Sequence, residues 1–198
     1  MQPSLTVPAR RRIARLGAIV VLLACAVLGA ALAREHLFAK RFGMVEPGLY
    51  RGAYAEPIPL RRIIKAHGLT HILCLADYHP NEPKGRKERN VAAEMGVDVK
   101  VLAMPGDGTA DFAKLDQVAD FIADPANRPL FVHCAAGAQR TGAAIAAYRI
   151  KHLGWSLEQA VAEAEKYGFD RTDNRLLYEH LRQYVEYVAG RPATSIAP

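Results

Sequence analysis

The sequence predicts an α/β domain with a mostly parallel central sheet flanked by helices, preceded by an N-terminal transmembrane helix. Three observations predict it. Short apolar runs at 71–75, 97–103 and 130–133 alternate with stretches of helical periodicity, the pattern of strands joined by helical crossovers. Glycines such as Gly68 and Gly96 fall where those helical stretches stop. Finally, residues 16–33 (LGAIVVLLACAVLGAALA) carry no charge, and a span needs roughly 17–25 apolar residues.

The 198 residues suit one domain plus a short appendage. The reading is a basic segment (1–15), a transmembrane signal anchor (16–33), a linker (34–43), a folded domain (44–190) and a flexible tail (191–198). Arg10, Arg11, Arg12 and Arg15 precede the apolar run, which favours an N-terminus on the cytoplasmic side. A single-pass protein of a bacterial inner membrane, with its domain in the periplasm, follows. Ala31, Leu32 and Ala33 also fit a small-x-small cleavage site, so the alternative is a secreted or periplasmic chain after signal cleavage.

Within the domain, residues 43–51 (GMVEPGLYR) read as a linker ending in a short edge strand, and 60–67 as a helix stopped by Gly68. Residues 71–75 (HILCL) form a buried strand. Residues 77–87, with Pro80, Pro83 and Gly85, form a loop, and 88–95 a helix ended by Gly96. Residues 97–103 alternate as a strand does, and 105–109 (PGDGT) are a loop. Phe112, Leu115, Val118, Ala119 and Ile122 recur at spacings of three and four, an amphipathic helix over 111–123. A strand at 130–133 and an Ala-rich helix at 140–153 follow. Ser156 caps the next helix with Gln159 three residues on, as in a capping box. The last helix, 175–188, turns Tyr178, Leu181, Tyr184, Val185 and Val188 to one packed face.

Composition narrows the function. The N-terminal arginines supply four of the net +6 charges, and no basic stripe with interleaved aromatics appears, so no nucleic-acid partner is expected. Three cysteines are too few, and odd in number, for a disulfide framework. The histidines show no metal-ligand spacing, and neither a metal nor a cofactor is expected.

Chemistry concentrates where the strand at 130–133 runs through Cys134, Ala135, Ala136, Gly137, Ala138 and Gln139 into a helix opening at Arg140 and Thr141. A loop between a strand end and a helix N-terminus turns several backbone N–H groups towards one point, a nest for an anion reinforced by the helix dipole. A thiol opening that loop is stabilised as thiolate by the same groups. Gly137 allows a tight turn, Arg140 offers a planar fork to two phosphate oxygens, and the Thr141 hydroxyl can donate to the sulfur.

His133, Cys134, Gly137, Arg140 and Thr141 match the signature of the cysteine-based protein tyrosine phosphatases: His-Cys, five residues, then Arg and Ser or Thr. From about residue 44 to 188 the chain resembles the compact dual-specificity branch, through its EPGLYR-type opening and its GWSLEQA-type helix. The resemblance implies a hydrolase of phosphotyrosine, and of phosphoserine or phosphothreonine, in proteins, with Cys134 as nucleophile. Arg140 and residues 135–139 would bind the phosphoryl group, and His133 would support the cysteine's low pKa. Asp107, between Gly106 and Gly108, best matches the family's general acid. Asp111 is the runner-up, but its place in a first helical turn favours a structural role. Ala135, Ala136 and Ala138 leave the loop without added cations, which argues against a highly anionic substrate. The expected partners are a phosphorylated protein or small phosphomonoester and, through residues 16–33, a membrane. A phosphatase of a lipid or small metabolite, and a phosphate-binding pseudoenzyme, are the competing readings. Cys74 is read as a core residue, or as a thiol partner of Cys134.

Overall fold

The structure, a computed structural model, describes residues 7–79 and 81–190, with side chains for residues 14–29, 38–79 and 81–190. The expected tail, 191–198, and the first six residues of the basic segment lie outside the described residues.

A helix α1 (Val7–Leu37) leads into two strands, β1 (Gly43–Glu46) and β2 (Leu49–Ala53). There follow α2 (Pro57–His67), β3 (His71–Cys74), α3 (Pro83–Met95), β4 (Asp98–Val101), α4 (Phe112–Ala123), β5 (Leu130–Cys134), α5 (Gln139–Leu153), α6 (Leu157–Glu165) and α7 (Arg175–Ala189). The sheet order is β1-β2-β5-β3-β4, with β1 antiparallel to β2 and every other pair parallel. Local signals set the helix ends. Prolines open α2 and α3, where a missing N–H is harmless. Gly68, Gly96 and Gly154 close α2, α3 and α5 in the left-handed conformation. Ser156 and Gln159 make both bonds of a capping box on α6, worth about 1 kcal/mol.

Two readings are corrected. Residues 43–51 are a hairpin, not a linker with an edge strand: β2 lies inside the sheet, its residues 49–53 in register with β5. Glu46 pins the outer strand by accepting from Arg128, Tyr148 and Arg149 at 2.7, 2.6 and 2.7 Å. The loop predicted over 77–87 stops early, because Pro83 starts α3 rather than prolonging the loop.

The core has two sides. Leu73, Leu130 and Val132 face α4, α5, α6 and α7, with Leu115, Ile145, Val161 and Tyr184. Ile72 and Phe131, one residue out of phase, face α2 and α3, with Leu60, Ile64 and Val91. Helix α5 is buried at every position from Thr141 to Ile150. Its alanines let it lie close between the sheet and α4, α6 and α7.

The expected transmembrane span finds no support among the described residues. Helix α1 runs through the apolar segment, and Leu16, Ile19, Val20, Leu23 and Val27 are exposed. Yet among the described residues no helix is long and apolar enough to cross a membrane. Side chains 30–33, the end of the expected span, lie outside the described residues.

Candidate active site

Strand β5 carries His133 and Cys134 to opposite faces of the sheet. Residues 135–138 turn, and α5 begins at Gln139, so the loop occupies the N-terminal end of a fifteen-residue helix. Gly137 is the pivot. Its φ is +74°, and a Cβ there would lie 2.6 Å from the Ala53 nitrogen and from the Gly52 carbonyl carbon. Backbone cannot move aside as a side-chain tip can, so only glycine fits.

The Gly137 N–H donates to the Cys134 sulfur at 3.2 Å. Burial pushes the Cys134 thiol up, but the Thr141 hydroxyl, the Thr141 and Gly137 N–H groups and the Arg140 charge outweigh it, and the net shift is downwards. Cys134 is buried, while Ala135 and Ala136 are exposed at the rim and Ala138 is buried at the start of α5. Arg140 Nε and the Tyr78 hydroxyl are buried donors with no hydrogen-bond partner among the described residues. Such donors are uncommon in a native interior, and an oxyanion with several acceptor oxygens would satisfy them. The Gln139 amide is engaged elsewhere, donating to Asn174 at 3.2 Å.

His133 faces the other side of the sheet. Its ring stacks on Phe131, Nδ1 lies 3.3 Å from the Cys134 carbonyl oxygen, and Nε2 lies 2.6 Å from Glu88 Oε1 on α3. The Glu88 contact is an ion pair between two buried side chains. Burial would push the imidazole down, but Glu88, with Cys74 beside it, outweighs burial and raises His133 well above its ordinary value. An imidazolium can donate Nδ1–H to the Cys134 carbonyl, which also accepts the Tyr54 N–H at 2.7 Å. Cys74, Glu88 and His133 cluster within 4.8 Å. However, two ligands of a zinc ion at about 2.0–2.1 Å stand roughly 3.3 Å apart. The 2.6 Å contact is therefore an ion pair, with no room for a metal between. Cys74 is free and pairs with His133 in the ladder, on the sheet face opposite to Cys134.

Asp107 lies on an exposed loop beside the helix start, since a Cβ on the next residue, Gly108, would sit 3.3 Å from the Gln139 carbonyl. Its Oδ1 accepts the Thr109 N–H at 3.0 Å and hydroxyl at 2.8 Å, and those two bonds hold the carboxyl below its usual range. Asp111 caps α4, accepting the Lys114 N–H at 2.8 Å.

Several side chains at the site escaped the sequence reading. Tyr54 and Tyr78 meet edge to face at 5.7 Å, with the Lys84 ammonium over both rings. Arg41 Nη1 donates to the Ala136 carbonyl at 2.9 Å, and Arg51 Nη2 to the Gly137 carbonyl at 3.1 Å. Cations therefore do surround the loop, supplied by distant elements rather than by residues 135–138. One signal was available: Arg51 alternates with Tyr50 and Gly52 on the same side as Leu49 and Ala53, a charge at a core-facing strand position.

A profile of the tyrosine phosphatase family matches residues 36–188. An inositol diphosphatase of Arabidopsis thaliana, DSP3, is 29% identical over 131 residues, covering 63% of this chain. The match spans 61% of that relative's length, less than two thirds. The core catalytic domain of the PP-IP phosphatase SIW14 of S. cerevisiae superposes with a TM-score of 0.60 at 19% identity, over 77% of this chain and 93% of that one. TpbA of P. aeruginosa does so with a TM-score of 0.60 at 23% identity, over 76% and 92%. These two likenesses concern the fold. The profile runs from the last residues of α1 to the last turn of α7, enclosing every strand and the whole loop around Cys134, and the chain belongs to the tyrosine phosphatase family.

Proposed function

We propose that this protein hydrolyses phosphate monoesters through a phosphocysteine on Cys134. The observation that carries the reading is the sulfur held under the Gly137 N–H at the start of α5, with its thiol shifted down. The thiolate attacks phosphorus, the ester P–O bond breaks, and the departing oxygen takes a proton from Asp107. Water then attacks phosphorus, the S–P bond breaks, and inorganic phosphate leaves. Arg140 and the loop N–H groups hold the equatorial oxygens, and the Thr141 hydroxyl donates to the departing sulfur. Asp107 is an ionised carboxylate on Thr109 in this conformation. To act as the acid it must leave Thr109 and take up a proton, a movement that Gly106 and Gly108 permit.

The substrate we favour is an aryl phosphate such as phosphotyrosine in a protein, because Tyr54 and Tyr78 offer aromatic faces beside the loop. TpbA carrying a Cys-to-Ser substitution has been seen with phosphotyrosine. A second reading is an inositol diphosphate, after the names of DSP3 and SIW14. Arg41 and Lys84 support it, since they bring cations that the loop lacks. Phosphate release from para-nitrophenyl phosphate, a phosphotyrosyl peptide and an inositol diphosphate, without added metal, tests both. A kcat/KM for the peptide above that for the inositol diphosphate supports the first, and the reverse order supports the second. Phosphate binding with no turnover of any of them would make the chain a binding module.

We also propose that the domain is tethered to a membrane through residues 16–33, on the strength of their uncharged apolar sequence and the exposed Leu16, Ile19, Val20, Leu23 and Val27 on helix α1. Resistance of the full-length chain to alkaline carbonate extraction is the expected result, and release into the supernatant would refute it.

A further inference from the structure

Two arginines that are remote in sequence reach adjacent carbonyls of the loop. Arg41 Nη1 donates to Ala136 O at 2.9 Å, and Arg51 Nη2 donates to Gly137 O at 3.1 Å. These carbonyls flank Gly137, whose N–H donates to the Cys134 sulfur. The Ala136–Gly137 peptide group is thus held at both ends, its oxygen on Arg41 and its N–H on the sulfur. A nest of inward N–H groups obliges the neighbouring carbonyls to turn outward, where each needs a donor. A cation on the oxygen end also polarises the peptide and strengthens the N–H as a donor.

Both arginines are held at a conformational or electrostatic cost that packing alone does not explain. Arg41 has φ +52°, the left-handed region that a bulky side chain rarely adopts. Its side chain lies against Gly168, where a Cβ would come within 2.6 Å of Arg41 Nε. Arg51 is fully buried, and its Nε and Nη1 have no hydrogen-bond partner among the described residues. Its guanidinium stacks on the Tyr167 ring at 4.2 Å, and burial pulls it down to about 10, still a cation at neutral pH. Tyr167 and Gly168 are consecutive, so one turn after α6 seats both side chains.

We propose that Arg41 and Arg51 are positioning residues that grip the Ala136 and Gly137 carbonyls from outside the loop and keep its N–H groups aimed at the Cys134 sulfur. The proposal rests on the reading of Cys134 as a thiolate nucleophile. It also ties the site to the segment joining α1 to the domain, because Arg41 belongs to that joint. The other ionisable groups acting on this region are Arg140 from α5, Tyr78 from the loop after β3, and Glu163 and Tyr167 at Arg51. His133, backed by Glu88, acts from the far face.

The test is the pH dependence of Cys134 alkylation by iodoacetamide in the full-length chain, with the adduct located by mass spectrometry. Parent, Arg41→Ala, Arg41→Lys and Arg51→Met are compared. The expected result is a midpoint about one pH unit higher in Arg41→Ala and in Arg51→Met, a roughly tenfold slower reaction at pH values below the midpoint. Rates well above the midpoint stay equal, and Arg41→Lys recovers part of the shift. Arg41 is exposed, so Arg41→Ala carries the test even if Arg51→Met does not fold. An unchanged midpoint in Arg41→Ala overturns the proposal. A parent midpoint near the ordinary thiol value of about 8.5 would instead overturn the reading of Cys134 on which it rests.

Discussion

Glu88→Gln removes one charge from the interior and leaves its partner in place. Glu88 is 3% exposed and His133 0%, and their charged atoms stand 2.6 Å apart, so little solvent can screen the loss. Removing one member of a buried pair costs about 3–5 kcal/mol. At about 2–4 °C per kcal/mol for a domain of this size, the melting temperature falls by roughly 6–20 °C. The pH dependence has a definite sign. The folded-state value of His133 is raised above its unfolded one. The pair's stabilisation is therefore fully present below the unfolded value of about 6.5 and is lost as pH rises through the raised folded value. Thermal and urea unfolding of the full-length chain, from mildly acid to alkaline pH, should show the parent losing stability on the alkaline side. Glu88→Gln should lose most of that slope and lie closest to the parent at the highest pH. Equal melting temperatures at pH 6, or parallel pH profiles, would refute the reasoning.

Other predictions concern the loop and the acid. Gly137→Ala places a Cβ 2.6 Å from the Ala53 and Gly52 backbone at φ +74°, so the loop must shift. Losing one aligned donor costs about 100–1,000-fold in kcat, measured on para-nitrophenyl phosphate. Asp107→Asn should lower kcat on phenyl phosphate roughly 100-fold, and much less on para-nitrophenyl phosphate, whose phenolate leaves without needing a proton. Thr109→Ala removes the hydroxyl that helps hold Asp107 ionised, so the alkaline limb of the kcat profile should move to higher pH. A limb that stays in place would remove Asp107 from the acid's role.

The parts of this molecule that could be read from the sequence are those encoded by neighbours in the chain. The capping box of Ser156 and Gln159 needs residues three apart, and the stops at Gly68 and Gly96 need one residue each. The loop could be read for the same reason, since Cys134, Gly137, Arg140 and Thr141 lie within eight positions. What escaped depends on distant partners. β2 is interior only because β5, about eighty residues later, pairs with it. Glu88 looks like one more polar residue of a helix until β5 brings His133 against it. Arg41 and Arg51 stand 95 and 86 residues from the carbonyls they hold. Judging the site's cations from residues 135–138 alone therefore underestimated them. Pro83 misled differently: a proline opens a helix as readily as it extends a loop, and position relative to the first N–H decides which.

The most direct test of the central claim is to trap the intermediate. The full-length chain is mixed with para-nitrophenyl phosphate without metal, quenched with acid within a turnover, and examined by intact and peptide mass spectrometry. The account predicts one phosphoryl group on the peptide bearing Cys134 in the parent, and none in Cys134→Ser. Release of phosphate by the parent with no phosphoryl on Cys134 at any quench time, or equal turnover by Cys134→Ser, would contradict it.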